Sequence, residues 1–473
     1  MAVSARSAEL EAAIVADPDD ASAYLVYADW LQARGDPRGE LVVVQHALET
    51  AQGPEWAKLR IRERELLTEH GEHLLGPVAA PRYWRNFDWR RGFVDRMHAA
   101  FVLDEGEQLI AHPSLAFVRA VSNVEFPPIR EAAPPLLNEL AIEYEAPRRV
   151  LTQPRLRHLA STNHAWASGV AQAHDLANLE TSSLETLAFR GDLELLQDLS
   201  SCPFPNLRVL RTACYDEEDI DEVLAFLLST PHAELDLRLC AAEASTRLAM
   251  LDDVQARRRI HALRLDDTDL GTLQRLRTQL RRLELLELSG IRDRAAAIIA
   301  ELPVAPRLAH LVLEDELSDP EAVAALVMSP YAATLRTLTL RIRDRVAMAG
   351  LSRGCFAALR VLDIDWQDLA PSDAAALSDA FPSVEEVIVD DFRLSTISDC
   401  PLASSVQTLT IQTSGGAMSV DRWFTREIEK FRSLRVLRLT GGPVLTPAAF
   451  ETLAGLRVTV ELAPNVPPLT SEV

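Results

Sequence analysis

One short phrase, L-x-x-L-x-L, recurs from about residue 115 to residue 440 and leaves this chain few ways to fold. Clear copies are Leu184-Glu-Thr-Leu187-Ala-Phe189, Leu283-Glu-Leu-Leu286-Glu-Leu288, Leu335-Arg-Thr-Leu338-Thr-Leu340, Leu359-Arg-Val-Leu362-Asp-Ile364 and Leu434-Arg-Val-Leu437-Arg-Leu439. In all, the first positions of the copies fall at Leu115, Leu137, Leu156, Leu184, Leu207, His232, Ile260, Leu283, Leu308, Leu335, Leu359, Val384, Val406 and Leu434. From Leu156 onward the spacing averages about 25 residues. Within a copy, positions 4 and 6 are apolar and must face a core. Positions 3, 5 and 7 then face the other way, because side chains alternate across a strand.

Helix-like stretches separate the strands: Asp216–Leu228, Asp293–Leu302, Asp319–Met328, Ser372–Ala380 and Thr446–Leu453. Several open with a capping side chain, and Asp319-Pro320 and Thr446-Pro447 place Pro at the first helical position. One strand and one helix at this period mark leucine-rich repeats, each stacking on the next. The expected fold class is α/β, a leucine-rich-repeat solenoid. Its parallel sheet lines the concave side of an irregular horseshoe, helices cover the convex side, and a small helical domain precedes it.

Residues 1–80 lack the repeat and read as helices: about Ala5–Val15, a second carrying Tyr24, Leu25, Tyr27, Ala28 and Leu31, a third at Glu40–Leu48 and a fourth from Glu55 to Leu67. Gly35 suits the residue after a helix, and Asp36-Pro37 a restart. Asp29 and Arg38 read as partners closing the helix–turn–helix, or, with Tyr27 and Trp30, as a recognition surface. The string Leu25-Val-Tyr-Ala-Asp29-Trp30-Leu31-Gln-Ala-Arg34-Gly35-Asp36-Pro37-Arg38-Gly39-Glu40 follows Ile14-Val-Ala-Asp17-Pro18-Asp19-Asp20. Together with His70-Gly71-Glu72-His73-Leu74-Leu75-Gly76-Pro77 and Arg91-Gly92-Phe93-Val94, it closely resembles the bacterial repeat-companion domain. That module accompanies leucine-rich and other repeats, and the resemblance spans roughly residues 7–98. Leu74-Leu75 departs from the Trp-Leu of the family. The resemblance implies an architecture and a bacterial source. The family has no established activity, so it implies no mechanism. The expected domains are therefore a helical repeat-companion domain at 1–80, a cap of the solenoid at 81–114 and leucine-rich repeats at 115–473. Trp84, Phe87, Trp89, Phe93 and Val94 would cover the open edge of the first repeat. Their interleaved arginines also allow stacking on single-stranded nucleic acid, a weaker reading.

Composition narrows the function. A net charge of −22 disfavours a phosphate-backbone partner, which needs a positive footprint. No apolar run is long enough for a membrane helix. The start of the chain lacks a signal-peptide core, and five cysteines stand singly, which points to a reducing, cytoplasmic setting. His70-Gly-Glu-His73 matches neither zincin order, and no Walker loop, nucleophile elbow or dinucleotide fingerprint occurs. No catalytic residue, cofactor or metal is therefore expected.

The register predicts the inner face. Glu234, Asp236, Arg264, Asp266, Glu287, His310, Val312, Glu314, Arg341, Asp363, Asp365, Glu386, Ile388 and Asp390 are its candidate partner-binding residues. Carboxylates around apolar anchors suit a basic, partly hydrophobic protein surface. The expected function is a non-enzymatic protein-interaction scaffold, with neither nucleic acid nor membrane as partner. A regulator or inhibitor of one enzyme is the alternative, and a cryptic enzyme a weaker one.

Overall fold

The computed structural model describes residues 5–76, 86–98, 112–124, 134–142, 155–161, 183–190, 204–214, 217–240, 248, 258–266, 280–290, 307–342, 345–366, 374–390, 394–413, 422–441 and 445–463. Seventeen strands are described. They are β1 (Phe87–Arg90), β2 (Phe93–His98), β3 (Ala120–Val124), β4 (Glu139–Ile142), β5 (His158–Ser161), β6 (Thr186–Arg190), β7 (Val209–Cys214), β8 (Glu234–Leu239) and β9 (Ile260–Asp266). After them come β10 (Leu285–Ser289), β11 (His310–Leu317), β12 (Thr337–Ile342), β13 (Val361–Trp366), β14 (Glu386–Asp390), β15 (Thr408–Gln412), β16 (Val436–Thr440) and β17 (Thr459–Leu462). The helices are α1 (Ala8–Ala16), α2 (Ala21–Gln32), α3 (Arg38–Leu48), α4 (Gly53–Glu69), α5 (Gly71–Leu75) and α6 (Glu217–Ser229). They continue as α7 (Pro320–Val327), α8 (Arg345–Met348), α9 (Ala374–Ala380), α10 (Leu394–Ser398), α11 (Arg422–Glu429) and α12 (Pro447–Ala454). The fold is α/β, built on a long, open and mostly parallel sheet.

Strands follow the sequence phrase because its fourth and sixth positions bury. Leu286 and Leu288, Leu311 and Leu313, Leu338 and Leu340, and Leu437 and Leu439 are all fully buried. Each such side chain contributes about 1.5–3 kcal/mol. The amide of the second-position residue donates back to the second-position carbonyl of the preceding strand, as in Arg336→Ala309, Arg360→Arg336 and Glu385→Arg360. The first copy begins at Val118 rather than Leu115. Val121 lies opposite Leu140, and the Arg119 amide donates to the Asp95 carbonyl. Leu115 is buried in the short 3-10 turn Pro113–Leu115, where its apolarity serves packing outside the strand.

Helix starts are chemical. Asp319 accepts the Glu321 amide at 2.9 Å, Thr446 that of Ala449 at 3.2 Å and Asp20 that of Ser22 at 2.9 Å. The helix expected at Asp293–Leu302 lies outside the described residues. So do Trp84 and Cys202.

The described residues form two compact units. One holds residues 1–208 and 445–456. Its first strands, β1 and β2, are an antiparallel hairpin, and β2 pairs in parallel with β3. The hairpin turn is Arg91-Gly92, both at positive φ (48° and 78°), the conformation that two-residue hairpins favour. The turn plugs into the helices: the Gly92 amide donates to Gln45 Oε1 at 2.7 Å, while Arg91 pairs with Glu49 at 2.7 Å and reaches the Asp19 carbonyl. Behind it, Ile14, Tyr24, Tyr27, Ala28, Leu31, Val42, Phe93, Phe117 and Leu136 form one core, with Phe93 and Phe117 edge to face at 4.6 Å. Helix α12, from the far end of the chain, packs on α4, and Phe450 meets Trp56 edge-on at 5.7 Å. The other unit holds residues 209–444 and 457–463, with β7 to β17 parallel throughout.

Arg38 does not pair with Asp29. Asp29 is exposed, whereas Arg38 is fully buried and its Nε and Nη2 bind the two oxygens of Asp36 at 3.0 and 2.7 Å. The same guanidinium reaches the Ala5 carbonyl at 2.5 Å. A carboxylate two residues away on the turn can fold back onto the guanidinium, while one on the outer side of α2 cannot. Burial pushes the Asp36 carboxyl up, but the Arg38 pair outweighs it and holds the group below its ordinary value.

Candidate interaction surface

The expected inner-face residues all lie in unit 2, on β8 to β14. Few are freely exposed. Glu234 and Glu314 are, Asp236 is buried, and the rest are half-buried among neighbouring strands.

At β8 and β9 the ladder slips. Leu235 faces Ile260, but Asp236 faces Ala262, so Arg238 stands opposite Arg264. Two guanidiniums side by side repel, and each leans away along a diagonal. Arg238 Nε donates to Asp266 at 3.0 Å, and Arg264 Nη1 donates to Asp236 at 2.5 Å. Arg264 also donates to Glu287 at 3.0 Å, and Arg211 to the second oxygen of Asp236 at 3.1 Å. Ser289 closes the set on Asp266 at 2.6 Å. Alternating charges thus run across β7 to β10, and burial of their flanks strengthens them relative to exposed pairs. Burial lifts the Asp266 carboxyl, but Ser289 and Arg238 together hold it below its ordinary value.

Across β14 to β17 a second set forms. Glu386 accepts from Thr410 and from Arg438 Nη1, both at 3.0 Å, and Arg438 Nε donates to Glu461 at 3.0 Å.

Between the two sets the balance is acidic. Arg341 approaches Asp363 only to 3.9 Å, and Thr339 donates to the same carboxylate at 3.4 Å. Burial raises the Asp363 carboxyl above its ordinary value; Arg341 and Thr339 oppose this, while Asp390 and Glu314 push it further up. Burial likewise raises Glu287, against the pull of Arg264 and with Glu314 adding to the rise. Glu314 therefore acts electrostatically on carboxylates of both β10 and β13. Val312 and Ile388 sit half-buried among these acids, on β11 and β14. Burial lowers His310 against the field of Glu284, with His261 adding to the fall.

Arg211, Arg238 and Arg438, absent from the expected contact residues, are the counter-ions that neutralise part of it. The repeat register itself places all three on the inner face beside the acids. Asp365 and Asp390 lie on the same face of β13 and β14.

The basic segment of the hairpin is engaged internally. Arg90 pairs with Asp19 at 2.8 Å, Arg91 with Glu49, and Phe87 and Phe93 are buried. His70 and Glu69 lie at the end of α4, and His73 Nε2 approaches Asp36 to 3.3 Å. Among the described residues no three metal-ligating side chains cluster, and no helix is long and apolar enough to cross a membrane.

No protein-family model matches this sequence, and no curated protein does. Among solved structures, the crystal structure of the Rad7 and Elc1 complex in yeast is similar at a TM-score of 0.36 and 14% identity, covering 82% of this chain and 94% of that one. A likeness of that degree carries no argument about this chain.

Proposed function

We propose that this chain is a non-enzymatic protein-interaction scaffold whose partner, a basic and partly hydrophobic protein surface, docks on the acidic sheet face of β10 to β14. One observation supports it above the others: Glu287, Glu314, Asp363 and Asp390 crowd one another around Val312 and Ile388, while Arg341 approaches Asp363 only to 3.9 Å. Lysine or arginine side chains arriving there relieve that crowding, and the apolar pair adds contact area. The N-terminal residues act, in this reading, as a repeat-companion module that caps the repeats, and the protein works in a reducing, cytoplasmic setting. Cys355 and Cys400 are free thiols, which accords with that setting.

The test is a pull-down from native lysate at two salt concentrations, comparing wild type with a variant carrying Glu314→Lys, Asp363→Asn and Asp390→Asn. Loss of a salt-sensitive partner by a variant with unchanged melting temperature supports the reading. Equal retention by both proteins removes the function from this face.

A further inference from the structure

In a repeat array every helix is flanked by those of the adjoining repeats, and the last one has no successor. Among the described residues the last such helix is α12, the connection between the parallel strands β16 and β17. It is not left open, because α4 packs along it within one compact unit. Trp56 and Ala57 of α4 are buried, as are Ala449, Phe450 and Leu453 of α12. Phe450 and Leu453, three residues apart, share one helix face. The Trp56 and Phe450 rings meet at 5.7 Å with their planes 72° apart, the edge-to-face geometry aromatic pairs prefer. Gly53 begins α4 at φ +56°, and a Cβ there would come to 3.9 Å from the Ala454 carbonyl, so the two helix ends also lie close.

We infer that α4 is a cap for α12, the last described helix of the array, and that the N-terminal helices supply it as an intramolecular clasp. The same N-terminal module then touches two stretches of the chain that lie far apart in sequence. Its β1–β2 hairpin borders β3 through β2, and its α4 covers α12. The Trp56 face of α4 is accordingly occupied by this chain's own α12, and the two segments open together although most of the sequence lies between them.

Amide hydrogen exchange of the full-length protein tests this. In the wild type, amides of residues 57–69 and 449–454 share one opening equilibrium with the same denaturant dependence. Phe450→Ala speeds exchange in 57–69, and Trp56→Ala speeds it in 449–454, each by about tenfold, the scale of one lost aromatic pair. Separate wild-type openings of the two segments overturn the clasp, even where a variant fails to fold. So do variants whose effects stay within their own helix.

Discussion

At the scale of single residues, the buried Arg38–Asp36 pair is the most exacting feature. Asp36 lies on the turn before α3, and its side chain is 3% exposed. Arg38→Met leaves that carboxylate without its counter-ion, an expected loss of about 3–5 kcal/mol read from urea unfolding. The double variant Arg38→Met with Asp36→Leu recovers part of it, since neither charge is then stranded. His112 adds a pH dependence. Burial, with Arg38 and His73 adding to it, pushes its imidazole down to about 4 from 6.5. The unfolded chain takes up that proton as pH falls through 6.5 and the folded chain does not until about 4. Stability is therefore steady above the upper value and declines between the two. Urea midpoints at pH 7.5 and pH 5 measure the decline, and His112→Gln should shrink it. Gly92 is fixed by sterics: at φ +78°, a Cβ would sit 2.5 Å from Val42 Cγ2 and 2.8 Å from the Arg38 carbonyl oxygen. Gly92→Ala is expected to lower stability by about 2 kcal/mol or more, in the same unfolding assay. Sequence reading found Arg38 and Gly92 as members of a distinctive string but chose Asp29 as the partner. Helical spacing sets which residues share a helix face, but not which way a turn residue folds back.

At the scale of elements, the strands were the most legible part. From the second copy onward the phrase positions and strands coincide, because a buried leucine at positions 4 and 6 is both the sequence signal and the physical cause. The first copy failed for the same reason in reverse. Leu115 is buried, but by a short turn, so apolarity alone could not separate it from a strand position. The slip between β8 and β9 was invisible in the sequence. A phrase-based register sets Asp236 level with Arg264; the backbone sets Arg238 there instead, and the long arginine side chains restore the pairing diagonally. Asp236 is the hub, holding Arg211 and Arg264 at once. Asp236→Ala is expected to cost about 1–3 kcal/mol and to raise exchange in β8 and β9 more than in β13 and β14.

At the scale of the whole molecule, the net charge of −22 is unevenly opposed. Arginines on β7 to β9 and on β16 pair with their neighbours, whereas on β10 and β13 burial and nearby acids raise Glu287 and Asp363. Carboxylates raised by burial and by one another reprotonate before ordinary ones. Capture of a basic partner on this face should therefore weaken as pH falls toward the carboxylate range sooner than Asp and Glu in model peptides would suggest. A pull-down or calorimetric titration across that range checks it, and Asp363→Asn should move the midpoint down. Composition made an acidic surface legible and the register placed its acids on one face, but which of them an arginine pairs with depended on contacts that only the folded strands bring together.

The contact of α4 with α12 also bears on how such a chain can change over time. A repeat array with free ends lengthens or shortens by duplication or deletion, because each unit leans only on its neighbours. Where α4 grips α12, a unit added or removed between them changes the length of chain that joins the two halves of the grip. The Trp56–Phe450 contact thus tolerates drift in loops and surface residues, but binds the fate of two segments that most of the sequence separates.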